Sequence, residues 1–104
     1  MLLREMLPAF TEELERLLRS EGEPRLADQV SSLEIIDRCR CGDDFCASFY
    51  TLPKPQGGYG KSHRSFELEA SKGTLILDVV DEGIAHVEVL NRDEIRQKLI
   101  AVLP

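Results

Sequence analysis

The chain has 104 residues, 42% of them hydrophobic, and a formal net charge of −6 at pH 7. That length suits a single domain over residues 1–104, and the apolar share is enough for a packed core, which excludes a disordered tail. The acid excess is concentrated in residues 1–52 and excludes binders of nucleic acid or of an anionic membrane, since both need a basic footprint.

The first residues carry Arg4 and Glu5 where a signal peptide needs an unbroken apolar run. No stretch has the length of a membrane span, so the expected compartment is the cytoplasm, where thiols stay reduced. Leu3, Leu7, Phe10, Leu14 and Leu17 recur at alternating spacings of four and three, the stripe of one helix face. Pro8 fits the first turn of the main helix, where its missing N–H is not needed, and Gly22 fits the C-terminal cap. Such a stripe docks on a sheet; it is too short for a coiled coil. Glu23 to Ser32 reads as a short second helix, opened by Pro24 and carrying Leu26, Ala27 and Val30 on one side.

Leu33 to Cys39 and Phe45 to Leu52 are rich in strand formers, and Cys41-Gly42-Asp43-Asp44 between them is turn chemistry. All three cysteines of the chain, Cys39, Cys41 and Cys46, fall in this hairpin. Side chains alternate faces along a strand, so any even-length turn points the three thiols to one side. The plainest reading is that they are small apolar residues. A second is a zinc site of Cys39, Cys41 and Cys46 with His63, or else His86, as fourth ligand. Against it, C-x-C-x₄-C is not the C-x₂-C spacing that converges two sulfurs on one ion, so no resident cofactor is expected. A third is a disulfide across the hairpin, which would leave one cysteine over.

Residues 53–64 read as a long loop with Lys54, Lys61, Arg64 and several glycines. Gly60-Lys61-Ser62 looks like the end of a phosphate-binding loop, but Pro55 stands where that motif needs Gly, and a strand follows instead of a helix. A weaker anion site from glycine amides and the three cations is the remaining functional reading. Phe66, Leu68 and Ala70 then alternate with Glu67 and Glu69 as a half-buried strand. Thr74 to Val80 and Ile84 to Leu90 are the next two strands. Asp81-Glu82-Gly83 predicts a three-residue hairpin loop with Gly83 left-handed. This register puts Leu75, Leu77, Val79, Ala85, Val87 and Val89 on one face. Ile76, Asp78, Val80, Ile84, His86 and Glu88 take the other, with Asp78 opposed to His86. Asn91 and Glu94 match a capping box for a final helix with Ile95, Leu99, Val102 and Leu103 as its stripe.

Thr74 to Ile95, TLILDVVDEGIAHVEVLNRDEI, resembles a segment of small bacterial proteins, YuzE-like ones among them. The likeness implies an α+β fold and assigns no catalytic residue.

The elements add up to an α+β fold, a five-stranded antiparallel meander flanked by an N-terminal and a C-terminal helix. Ile76, Val80 and Ile84, left on the face away from the helices, predict a homodimer formed through the sheet. The leading expectation is therefore a non-catalytic interaction module that self-associates and has room for an unidentified protein partner. The alternatives are a small zinc protein and an enzyme using Cys46 or the Asp78/His86 pair.

Overall fold

The computed structural model describes residues 1–104. It is an α+β fold with helices at both ends and five antiparallel strands. The N-terminal stripe forms α1 (Leu3–Met6) and α2 (Pro8–Ser20). The break falls at Leu7, because the residue before a proline is pushed out of helical geometry, and Pro8 opens α2 as expected. Gly22 at φ 76° closes α2, its N–H donating to the Arg19 carbonyl (3.1 Å) and that of Glu23 to Leu18 (2.9 Å), a Schellman arrangement. The short second helix is α3 (Pro24–Gln29), ending in a 3₁₀ turn at Val30–Ser32.

The strands are β1 (Asp37–Arg38), β2 (Phe49–Tyr50), β3 (His63–Leu68), β4 (Thr74–Val80) and β5 (Gly83–Leu90). The helix α4 (Asp93–Val102) follows. The spatial order is β1-β2-β5-β4-β3, so the sheet is not a simple meander. Segment 51–62 passes the ends of β5 and β4 and delivers β3 to the far edge. Three strand spacings are about 14 Å, well within reach of that loop. The physical reason lies in β5. Ile84, Ala85, Val87 and Val89 are all at most 2% exposed, so this strand takes a central position with partners on both sides.

The β4–β5 connection also departs from expectation. Val80 pairs with Gly83 across a two-residue turn, with Asp81 (φ 50°) and Glu82 (φ 62°) both left-handed, while Gly83 is an ordinary strand residue. A bulge at Ala85 then shifts the register, so Val79 faces Ile84 but Asp78 still faces His86. The bulge keeps Leu75, Leu77, Val79, Val87 and Val89 on the inner face, and it also turns Ile84 inward at 2% exposure.

The helices cover one face of the sheet. Leu14 and Leu18 of α2, Leu26 of α3 and Leu99 of α4 share one core with Phe49, Leu68, Leu75, Leu77 and Val87. Phe10 meets Phe49 edge to face, with ring centroids 6.1 Å apart. The opposite face carries Tyr50, Ile76, Asp78, Val80, His86 and Glu88, none of them fully buried. No helix is long and apolar enough to cross a membrane.

Candidate functional site

The pairings Asp37–Tyr50 and Arg38–Phe49 set the register of the cysteine hairpin. Cys39 continues it, its N–H donating to the Ser48 carbonyl at 2.8 Å. Cys46 is fixed from the other side. It bridges to Leu90 at the end of β5, and its N–H closes a turn onto the Asp43 carbonyl at 3.2 Å. Cys41 lies beyond the last of these bonds, beside Gly42 at φ 85°, and is exposed. In the notation of alternating faces this is one of the registers that brings the thiols together. All three sulfurs lie within 4.8 Å of one another, and all three cysteines are free thiols.

The spacing of the sulfurs is close to what one ion needs. Zinc–thiolate bonds of about 2.3 Å place tetrahedral sulfurs about 3.8 Å apart, so small side-chain rotations would converge the three. The C-x-C-x₄-C spacing achieves this because the ligands come from both arms of a hairpin, whereas the C-x₂-C rule describes ligands on one turn.

The protons of the cluster are shared unequally. Burial, first, and the thiols of Cys41 and Cys46 push the Cys39 thiol up to about 11. Burial also raises Cys46, but the hydroxyl and amide of Ser48 and the other two thiols outweigh it, leaving Cys46 below its ordinary value. Ser48 is itself fixed: it is 3% exposed, its Oγ lies 3.4 Å from Cys46 Sγ, and it accepts the Val89 N–H at 2.9 Å. Sequence reasoning passed over Ser48, although it stands two residues from Cys46 and so shares its side of the strand.

The histidines are elsewhere. His63 is on β3, the edge opposite the hairpin, about 19 Å from β1 at a spacing of about 4.8 Å per strand. His86 sits beside Tyr50, and Cys46 is level with Leu90, about 13 Å further along β5 at about 3.3 Å per residue. Both imidazoles instead hold Asp78, His63 Nε2 at 2.8 Å and His86 Nδ1 at 3.0 Å. An ionised carboxylate only accepts, so each imidazole carries its proton on the nitrogen facing Asp78. Burial alone would raise the Asp78 carboxyl, but these two hydrogen bonds hold it below the usual carboxylate range. Tyr50 stacks on His86 and Tyr59 on His63, at 4.5 and 4.6 Å between centroids. The Asp78/His86 opposition expected from the register is present. The His63 contact was not foreseen, because β3 starts two residues earlier than its apolar alternation shows.

The thiols and the Asp78 group do not share a cavity. Cys39 and Cys46 line a space of about 10 Å³ against Arg96, Leu99 and Ile100, with neither Asp78 nor His86 in its wall. The loop cations are not free to form an anion site together. Arg64 is tied to Glu23 at 2.8 and 3.0 Å and to Glu82 at 3.1 Å. No protein-family model, curated protein or solved structure matches this chain.

Proposed function

We propose that this protein binds a soft, thiophilic metal ion, zinc in the first place, through Cys39, Cys41 and Cys46. One observation carries the reading: three free thiol sulfurs within 4.8 Å of one another at a half-exposed hairpin. An all-sulfur set selects soft ions, and three protein ligands leave a fourth position for water or for a donor from outside the chain. Such a site exchanges its ion. It is peripheral to the core, so the fold does not depend on it, in keeping with the missing C-x₂-C motif. His63 and His86 take no part.

Self-association through the sheet is supported less well than the sequence suggests. Of its three aliphatic residues Ile84 is buried in the core, and Ile76 and Val80 are already half-buried among Asp78, His86 and Glu88. An enzyme joining Cys46 to the Asp78/His86 pair has no common cavity to support it.

The test is titration of the reduced protein with cobalt(II) and cadmium(II). A sulfur-to-metal charge-transfer band saturating at one ion per chain is expected. His63→Ala should leave it unchanged and Cys41→Ser, at an exposed position, should abolish it. No band, or a band that survives Cys41→Ser, would overturn the reading.

A further inference from the structure

We infer that the three-thiol site is a redox switch: a hydroperoxide joins Cys41 to Cys46 in a disulfide and expels the ion. The consequence for the ion rests on the metal reading above; the disulfide does not. Three thiols that converge on one ion are also within reach of one another. A disulfide needs its sulfurs at about 2.05 Å, so one residue of the pair has to move. Cys39 is held by its N–H on Ser48, and Cys46 by Leu90, Asp43 and the Ser48 hydroxyl. Only Cys41 lies outside the ladder. Gly42, which follows it, has nothing within 4 Å of where a side chain would begin, so no packing pins the hairpin tip at that residue. The exposed thiol outside the ladder thus closes on a fixed one. Cys46 is the partner because both it and Cys41 flank the tip, while Cys39 belongs to the paired part of the arm.

The chemistry balances with a hydroperoxide as oxidant. A lone pair on the Cys46 sulfur attacks the peroxide; the S–O bond forms, the O–O bond breaks, and the leaving oxygen departs as water or alcohol, with the Cys46 proton in the metal-free chain and with a solvent proton where the ion has already displaced it. Cys46 is then a sulfenic acid. The Cys41 sulfur attacks it, the S–S bond forms, the S–O bond breaks, and water leaves with the Cys41 proton, or with a solvent proton when Cys41 was a ligand of the ion. Two thiols have been oxidised and one peroxide reduced. Cys39 alone remains as a ligand, and one thiolate does not retain the ion. A dithiol reductant reverses the change.

The experiment loads the reduced full chain with cadmium(II) and adds one equivalent of hydrogen peroxide. Loss of the charge-transfer band and release of the ion to a colorimetric chelator are expected. Mass spectrometry should show loss of two hydrogens, with a Cys41–Cys46 linked peptide and an alkylatable Cys39. Cys39→Ser should still form the link, Cys41→Ser should not, and a dithiol with fresh cadmium should restore the band in the unsubstituted chain. A disulfide that includes Cys39, progression of the thiols to sulfinic acid with no disulfide, or full retention of cadmium would overturn the inference. Failure of the metal reading looks different: no band appears before peroxide, and the mass measurement on the metal-free chain still decides whether the disulfide forms.

Discussion

Asp78 has a side chain only 17% exposed, so two imidazole donors hold its charge in place of water. Its pKa is lowered in the folded chain, which makes it a stability term with a definite sign. A depressed carboxyl contributes stability above its unfolded value, about 3.9, and loses that contribution as pH falls through the folded value. Asp78→Asn is expected to cost about 1–3 kcal/mol at neutral pH, because one imidazole N–H then faces an amide NH2 and the other keeps only a neutral acceptor. The gap in melting temperature between the two proteins should shrink below about pH 4. A gap that stayed constant with pH would mean that the carboxylate contributes nothing as an ion. A second residue is set by space. At Gly73 a Cβ would lie 2.4 Å from the Leu90 carbonyl, and φ is 68°. Gly73→Ala is thus expected to cost more than about 2 kcal/mol in urea unfolding, the left-handed strain alone being about 1–2.

The β4–β5 hairpin shows why an element can be legible while its turn is not. The alternation from Leu75 to Val79 and from Val87 to Val89 identified both strands and their inner face, because burial of one face enforces period two. The turn was misread because a bulge at Ala85 restores the same faces that a three-residue loop would give. One extra residue in the strand and one in the loop leave the same apolar pattern. Strain therefore sits at Asp81 and Glu82, not at Gly83, and it is the greater at Glu82 because Asp tolerates the left-handed region better. Glu82→Gly should stabilise by about 0.5–1 kcal/mol, the left-handed strain relieved less the exposed pair with Arg64. Gly83→Ala should change little, since its Cβ would meet only the Val80 carbonyl at 3.4 Å. Urea midpoints of the two variants check both; a destabilised Gly83→Ala would restore the three-residue loop. The same lesson applies at Asn91. It was expected to cap α4, but its N–H is taken by the Phe45 carbonyl (2.9 Å) and its φ is 61°, so it turns the chain out of β5 and the helix starts at Asp93. Glu94 then pairs with Arg92 instead of reaching back to Asn91. The hairpin thiols were legible as a set on one side, since that needs only parity. Their distance from His63 was not, because strand order is decided by which strand is apolar enough to be central.

At the scale of the molecule, the helical layer is fastened to the sheet by Arg92, 8% exposed although charged. Its guanidinium makes a two-bond fork to Glu13 of α2 (2.9 and 3.0 Å), donates to Glu94 (2.9 Å) and to the Lys72 carbonyl (3.3 Å), and lies 5.8 Å over the Phe10 ring. One side chain thus ties α2, the β3–β4 turn and the start of α4. The pair with Glu13 is mostly buried, at 9% and 18% side-chain exposure, so removing one partner leaves a charge in a poorly hydrated place. Arg92→Met is expected to cost about 3–5 kcal/mol. Removing both charges with Glu13→Leu and Arg92→Met should cost much less than the two single changes added, because the stranded charge is the main penalty. A double-mutant cycle from denaturant unfolding measures the difference. The clasp lies on the helical side, and the expected cadmium band at the hairpin thiols should persist in Arg92→Met while the chain stays folded. A cycle with no coupling would show that the helices are held to the sheet by apolar packing alone.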